Sequence, residues 1–320
     1  MAKNENLHKA KSAKNDEFYT QLVDVEKELQ HYTEHFKDKS VLCNCNDSEN
    51  SAFYQYFFAH FDELGLKKLV CTSYNKEGVG CKLVHEGGNS TIIPLEGNGD
   101  FRSHECIELL KEEDIVVTNP PFSLFKEYLD TLIKYHKKFI IIGNLNAISY
   151  KNTFHYLKTN QMWLGYNGNC SMTFRKLFTY ELRGSAFIGE DGSNYVSLGS
   201  CTWYTNLDIM KRHKNILLCK QYNPTEYPKY DNYDAINVKR TSEIPCDYFE
   251  EMSVPISFMN HYNPNQFEII GLLIDYKGED FIQGTPIYTD EKHKNSTCAV
   301  LNGKRQYAKI LIRRKDTSTD

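Results

Sequence analysis

The sequence predicts an α/β protein in its first half and a mixed α+β extension in its second half. Short, continuous apolar runs alternate with amphipathic helical stretches as far as about residue 150. Such runs are typical of strands buried on both faces of a parallel sheet. Beyond about residue 160 the helical spacing fades and short β-like pieces take over. Right-handed crossovers would wind the first half into a doubly wound, Rossmann-like sheet that binds ligands at the carboxyl ends of its strands.

Length and composition exclude several classes of protein. A chain of 320 residues, 40% hydrophobic and 25% charged, can bury a core, which excludes disordered, fibrous and disulfide-stapled chains. No apolar run approaches the ~20 residues that span a bilayer, and the lysine-containing first fifteen residues lack the apolar centre of a secretory signal. We therefore expect a cytoplasmic protein without membrane contact, whose ten cysteines are reduced.

No metal site is predicted. The cysteines contain no Cys-x-x-Cys pair. His31 and His35 lie four residues apart on one predicted helix, but a third ligand is absent nearby. A solvated helix face is the better interpretation of that pair.

Apolar spacing predicts two helices and two strands in the first 72 residues. In segments 22–36 and 49–64, apolar side chains recur every three or four positions, as on one face of a helix. Gly65 suits the cap that ends the second helix. Each helix is followed by a short apolar run, at 40–43 and 67–72, which predicts a buried strand.

The same alternation continues to residue 143. Residues 75–100 are rich in glycine and asparagine and contain one strand candidate. The predicted elements from there on are a strand at 90–95, a helix at 103–112, a strand at 114–118, a helix at 123–136 and a strand at 139–143.

The second half gives weaker signals. Asn302-Gly303 is a hairpin-turn signal. We expect residues 1–165 to form the core and residues 166–320 to supply its remaining strands and a second functional region. The β-like pieces are Met172–Phe174, Tyr195–Leu198, Ile216–Leu218, Phe267–Ile274 and Lys309–Arg313.

The sharpest motif is Asn119-Pro120-Pro121-Phe122, directly after the predicted strand at 114–118. The Asn119 side chain and the Pro120 backbone each offer a carbonyl acceptor, and neither proline has an N–H to compete. Such acceptors suit an amino nitrogen that gains positive charge while it attacks a methyl group. Phe122 offers a flat face for an extruded base. A rigid surface turn made by two prolines is the alternative.

Several segments together resemble one family. Asn119-Pro120-Pro121-Phe122 is similar to the (D/N/S)-P-P-(Y/F) motif of S-adenosylmethionine-dependent amino-methyltransferases. The segments LHKAKSAKNDEFYTQ, VLCNCND, VVTNPPF and VPISFMNHYNPNQFEIIG jointly resemble the EcoRI-type adenine-specific DNA methyltransferases. The similarity runs from about residue 7 to residue 313. It implies a class I methyltransferase sheet, S-adenosyl-L-methionine as cofactor, and methylation of the exocyclic amino group of adenine in duplex DNA by base flipping and direct transfer.

The resemblance also implies a cofactor site. The D-E-F-Y-T segment would line the methionine side, the residues after the first two strands would reach the cofactor, and an Asp-Phe pair would read its adenine ring. The sequence departs from the family pattern because the loop after the first strand has no glycine between Val41 and Gly65. A helix N-cap is the alternative role for Asp100. The cofactor residues implied are Phe18, Tyr19, Thr20, Cys43, Asn44, Cys45, Asp47, Ser73, Tyr74, Asp100 and Phe101.

The net charge of −4 does not by itself indicate nucleic-acid binding. The halves differ, with 17 basic and 23 acidic side chains in residues 1–150 against 21 and 19 in residues 151–320. Local basic stretches in the second half suit phosphate contact, with solvated loops as the alternative. These stretches are Arg175-Lys176, Lys211-Arg212-His213-Lys214, Lys239-Arg240, Lys304-Arg305 and Arg313-Arg314-Lys315.

Other functions remain open on the sequence. An Asn-Pro-Pro-aromatic loop also serves enzymes that methylate RNA or a protein glutamine, and a related loop serves cytosine methylation. A catalytically silent nucleic-acid-binding module on the same fold is a different class. We expect a monomer, with a functionally paired restriction endonuclease as a further expectation from the resemblance.

Overall fold

The computed structural model describes residues 19–44, 51–168, 170–176, 185–274, 281–282 and 298–315. The chain divides into two compact units. The first comprises residues 1–145 and 164–207, and the second comprises residues 146–163 and 208–320.

Five α-helices lie in the described residues. Each of α1, α3, α4 and α5 buries one apolar face, as the three-to-four spacing of its apolar residues requires. The helices are α1 (Leu22–Leu29), α2 (Ala52–Ala59), α3 (His104–Glu112), α4 (Phe125–Lys134) and α5 (Lys151–Lys158). Short 3-10 turns follow at Thr33–His35, Leu145–Ser149, Met210–His213, Thr241–Glu243 and Ile256–His261.

A large mixed sheet organises the first unit, with strand order β1-β9-β11-β7-β6-β2-β3-β4-β5. Both β8 and β10 pair with β11. Strands β7, β6, β2 and β3 are parallel to one another, whereas the flanking pairs are antiparallel. The strands are β1 (Tyr19–Thr20), β2 (Ser40–Cys43), β3 (Lys68–Ser73), β4 (Cys81–Glu86), β5 (Asn89–Pro94), β6 (Ile115–Thr118), β7 (Lys138–Asn144), β8 (Trp163–Leu164), β9 (Cys170–Lys176), β10 (Ala186–Ile188) and β11 (Asn194–Thr205).

The parallel centre explains where ligands can bind. Every residue of β2 and β6 is buried, as expected for central strands covered on both faces. From β2 the chain first adds β3 on one side, and later returns to add β6 on the other side. Leu42 pairs with Val116 in this register. The carboxyl ends of β2 and β6 are therefore neighbours at a point where the strand order reverses, where open α/β sheets leave a crevice.

A smaller sheet organises the second unit, with order β12-β13-β18-β14-β15, beside a separate β16–β17 hairpin. Asn302 and Gly303 turn that hairpin with positive φ angles of 50° and 69°, as a type I′ turn requires. The strands are β12 (Ile236–Asn237), β13 (Met252–Pro255), β14 (Phe267–Leu273), β15 (Phe281–Ile282), β16 (Val300–Leu301), β17 (Lys304–Arg305) and β18 (Lys309–Arg314).

Two predicted helices extend beyond the observed helix ends. The helix predicted at 22–36 ends at Leu29, because the backbone at Tyr32 (φ −126°) leaves helical geometry before the 3-10 turn. The helix predicted at 49–64 ends at Ala59, and residues 60–65 form turns that close at Gly65 with φ +61°.

Strand predictions failed at several places, of which two show the physical reason. Ile216–Leu218 is not a strand, because the Ile216 backbone N–H and C=O bond to the Gln266 side-chain amide at 2.7 and 2.8 Å. Strand β4 was not predicted, although Gly87 and Gly88 turn it into β5 with φ angles of 58° and 78°. The two antiparallel strands of that hairpin make the sheet mixed at this edge.

Candidate active site at the ends of the central strands

The Asn119–Phe122 loop leaves the end of β6 and turns directly into α4. Asn119 and Pro120 are buried, whereas Pro121 and Phe122 are half-buried. The Pro121 carbonyl accepts the Leu124 N–H at 2.8 Å. This bond and the fixed φ angles of the two prolines give the loop one conformation.

Phe122 and strand β1 both lie next to Phe174 of β9. The Phe122 ring lies edge-on to Phe174 of β9, with 6.2 Å between centroids. Phe174 is fully buried and pairs in register with Thr20 of β1. Tyr19 pairs with Arg175 one position away. The structure thus brings Tyr19 and Thr20 to the same sheet region as the Asn119–Phe122 loop.

Asn44, at the end of β2, is held by two hydroxyl groups. It is 4% exposed. The Thr118 hydroxyl donates to the Asn44 backbone carbonyl, and the Tyr128 hydroxyl donates to the Asn44 side-chain Oδ1. The Tyr128 ring in turn lies edge-to-face with Phe101 at 5.0 Å. Asn44 and Phe101 are therefore joined through one residue of α4.

The loops after β3 and before α3 lie against each other. The Asn75 N–H donates to the Asn98 carbonyl at 2.8 Å. At Gly99 (φ +81°) a Cβ atom would come within 2.2 Å of the Ser73 carbonyl oxygen, so only glycine permits this approach. Ser73 and Tyr74 are consequently adjacent to Asp100 and Phe101. The Ser73 hydroxyl lies 3.0 Å from Cys81 Sγ, and the Tyr74 side chain is 44% exposed.

Asp100 is engaged by Arg102. Its carboxylate accepts the Arg102 backbone N–H at 2.9 Å and the guanidinium at 2.8 and 2.5 Å. These hydrogen bonds lower the pKa of Asp100 below its ordinary value, so the carboxylate is ionised. The N-cap of α3 is Ser103, whose hydroxyl oxygen accepts the Cys106 N–H at 3.2 Å. The alternative of Asp100 as that helix cap is therefore wrong.

The remaining predicted cofactor residues are placed differently or lie outside the described residues. Cys43 is fully buried opposite Cys71 of β3, and burial together with that neighbour raises the pKa of its thiol well above the ordinary value. Its side chain belongs to the core. Phe18, Cys45 and Asp47 lie outside the described residues.

Sequence reasoning missed Tyr128. It belongs to the predicted helix at 123–136 and is 1% exposed. The helical period marks it as an inward-facing residue, but nothing in the sequence indicates that its hydroxyl meets a residue 84 positions away.

The basic stretches include side chains with defined contacts and several exposed side chains. The Arg212 guanidinium stacks on Trp163 at 3.8 Å, and Arg313 pairs with Glu251 at 2.9 Å. Exposed cationic side chains stand at Arg175, Lys239, Arg240, Lys304 and Arg305. Among the described residues, none of the helices has the length and apolar character needed to cross a membrane.

Comparisons with known proteins agree on one family. The family model described as "Adenine-specific methyltransferase EcoRI" matches residues 6–315. The chain is 48% identical to the Type II methyltransferase M.EcoRI of Escherichia coli, over 98% of each chain. It is 39% identical to the Type II methyltransferases M.MgeORF184P of Mycoplasma genitalium and M.MpnI of Mycoplasma pneumoniae, each over 97% of this chain and 98% of the relative. No solved structure matches. The chain therefore belongs to the EcoRI-type adenine-specific DNA methyltransferases, a family of DNA-modifying enzymes.

Proposed function

We propose that this enzyme uses S-adenosyl-L-methionine to methylate the exocyclic amino group of adenine within a specific duplex DNA sequence. The observation that carries the proposal is the Asn119–Phe122 loop at the reversal point of the sheet, next to the Asn44 end of β2. Direct transfer needs the reacting nitrogen in line with the methyl carbon and sulfur, and a rigid loop at the crevice provides such positioning.

The fold supports a finer assignment. We propose that the parallel strands with their antiparallel flank are a Rossmann-like class I methyltransferase sheet. In this proposal residues 1–165 form the cofactor-binding catalytic core, and residues 166–320 supply the remaining core strands and the DNA recognition region. The exposed side chains of Lys239, Arg240, Lys304 and Arg305 are candidates for phosphate contact.

The clustered residues fit a nucleoside cofactor. Phe101 offers an apolar wall for an adenine ring, Asp100 an ionised acceptor, and Ser73 a hydroxyl for ribose. Asn44 offers polar groups at the end of β2. S-adenosyl-L-methionine, when bound, supplies a methyl group activated by a sulfonium. Cofactor contact by Phe18, Tyr19, Thr20, Cys45, Asp47 and Tyr74, and by the backbone of Cys43, belongs to the same proposal.

The catalytic loop acts on the target base. The Asn119 side-chain carbonyl and the Pro120 backbone carbonyl would accept hydrogen bonds from the adenine amino group, which stabilises the positive charge that builds on the nitrogen. Pro121 fixes the loop, and Phe122 would stack on the base. A duplex hides this amino group, so the base must be flipped out of the helix.

The deciding experiment incubates the purified chain with S-adenosylmethionine carrying a labelled methyl group and with unmethylated plasmid DNA, cellular RNA or total protein. The proposal predicts label in N6-methyladenine of DNA. Label in RNA, in protein glutamine or in cytosine would contradict it, as would cofactor binding without transfer to any of the three. Sequencing of the methylated plasmid then gives the recognition sequence. Light scattering of the chain on that DNA tests the proposed monomer, and a nuclease blocked by the modification would be the proposed restriction partner.

A further inference from the structure

The first loop of the enzyme lacks the device that usually lets a backbone approach a nucleotide. Glycine serves there because it has no Cβ atom. Here the chain has no glycine between Val41 and Gly65. At the start of this loop, Asn44 instead receives hydrogen bonds from two hydroxyl groups that come from distant elements.

We propose that Thr118 and Tyr128 are positioning residues of the cofactor site, which act by fixing Asn44. Together we call Thr118, Asn44 and Tyr128 the brace. The inference rests on the proposed function, because it assigns the brace to S-adenosyl-L-methionine.

Burial makes the brace rigid. Thr118 is 0% exposed, Tyr128 is 1% exposed and Asn44 is 4% exposed. A hydroxyl or carbonyl that loses its partner in such a setting is strongly disfavoured, so rotation of the Asn44 side chain is opposed. A tyrosine hydroxyl that donates to Oδ1 also fixes which end of the Asn44 amide faces it. Asn44 therefore has one rotamer and one amide orientation without a cofactor.

The ring and the hydroxyl of Tyr128 lie next to residues that would contact two different parts of an extended ligand. Its ring contacts Phe101, the proposed adenine wall, at 5.0 Å. Its hydroxyl, at the opposite end of the phenol, contacts Asn44. If Phe101 meets the adenine, Asn44 faces the amino-acid end of the cofactor. The hydroxyl and the ring of one residue thus control different parts of the ligand.

Thr118 links the cofactor site to the catalytic loop. It precedes Asn119 directly, and its hydroxyl donates to the Asn44 carbonyl. Asn44 at the end of β2, which would hold the cofactor, and the start of the loop that would hold the target base are consequently joined through one hydrogen bond. This link sets the distance between Asn44 and the catalytic loop before either ligand binds.

The test measures ligand binding by calorimetry without DNA. The probes are S-adenosylhomocysteine and methylthioadenosine, which lacks the amino-acid end. Tyr128→Phe removes the hydroxyl and keeps the ring, so it should weaken S-adenosylhomocysteine binding about tenfold, in line with loss of one hydrogen bond. Methylthioadenosine affinity should stay within about twofold. Thr118→Val, which keeps the β-branched shape, should give the same selective loss.

Two controls remove equivalent hydroxyl groups elsewhere. Tyr227 donates to the Glu243 carbonyl at 2.8 Å, and Thr205 donates to the Phe139 carbonyl at 2.7 Å at the other end of the sheet. Tyr227→Phe and Thr205→Val should leave both affinities unchanged. Thermal unfolding confirms that all four variants fold; if Tyr128→Phe does not, Thr118→Val decides alone.

The outcomes separate the brace from the proposed function. Unchanged S-adenosylhomocysteine affinity in the folded variants would overturn the brace, and so would equal losses for both probes, which indicate general damage to the site. Labelled methyl transfer by the wild-type chain is measured in parallel. If the wild type transfers no methyl group to adenine, the proposed function fails; if it does and the variants bind normally, only the brace fails.

Discussion

Replacement of Glu28 by alanine should destabilise the first unit by about 3 kcal/mol. The Glu28 side chain is 0% exposed. Its carboxylate accepts the Tyr32 hydroxyl at 2.6 Å and the N–H groups of Tyr166 and Asn167 at 2.7 and 2.8 Å. Each of these three donors loses its acceptor in Glu28→Ala, at about 1 kcal/mol for each hydrogen bond.

The pH dependence gives this prediction a second signature. Burial raises the pKa of Glu28 above its ordinary value of 4.5. A raised carboxyl pKa means that the folded state holds the proton more tightly than the unfolded state, so the contribution of Glu28 is complete below pH 4.5 and declines as pH rises through the raised pKa. The loss in Glu28→Ala should therefore be larger at pH 5 than at pH 7.

The assay is urea unfolding followed by tryptophan fluorescence. Trp203 is fully buried, and its backbone carbonyl accepts the N–H of Gly165, which directly precedes Tyr166. A Trp163→Phe background leaves Trp203 as the only tryptophan in the sequence. The expected loss corresponds to a shift of roughly 1 M or more in the urea midpoint. Glu34→Ala, at an exposed position, should change the free energy of unfolding by less than about 0.5 kcal/mol. A loss in Glu28→Ala as small as that of Glu34→Ala would refute the reasoning.

Three further predictions concern charge, backbone and base stacking. Burial lowers the pKa of Lys309 from 10.5 to about 8, so the unfolded chain holds the proton more tightly than the folded chain. In urea unfolding, the free energy of unfolding of the wild type relative to Lys309→Met should therefore rise between pH 8 and pH 10. A difference that stays constant over this pH range would contradict the prediction. Gly99→Ala should weaken S-adenosylhomocysteine binding at least tenfold, because its Cβ would meet the Ser73 carbonyl. The control Gly97→Ala, with open space around its Cβ, should bind S-adenosylhomocysteine normally. Equal affinities of the two variants would show that the loop at Gly99 is not part of the cofactor site. Phe122→Ala should reduce the fluorescence of 2-aminopurine placed at the target adenine, because a base that is held less well outside the duplex returns to the base stack, which quenches it. A wild-type signal would assign stacking to another aromatic residue.

The sequence predicted the elements whose apolar pattern admits one interpretation. The continuous runs at 40–43 and 115–118 are fully buried strands, as their lack of alternation indicates. The run at 216–218 is equally apolar, yet its backbone finds a partner in the Gln266 side chain. Local pattern cannot reveal a partner 50 positions away.

The same limit applies to the site. Both Asp100 and Ser103 are residue types that cap helices, and the structure shows that α3 begins after Ser103, whose hydroxyl accepts the Cys106 N–H. The Asn119–Phe122 motif could be recognised because its four residues are contiguous. The brace could not, because Thr118 and Tyr128 reach Asn44 only after the sheet and α4 have formed.

The most direct test of the account is the single-turnover rate of Asn119→Ala on a DNA duplex that contains the recognition sequence, measured beside its affinity for S-adenosylhomocysteine. Loss of one preorganised hydrogen-bond partner of the reacting group should lower the rate about 100- to 1,000-fold. The cofactor affinity should stay within about twofold, since the proposed function assigns Asn119 to the target base and not to the cofactor. A rate like that of the wild type, or an equal loss in cofactor affinity, would contradict the catalytic role of the loop.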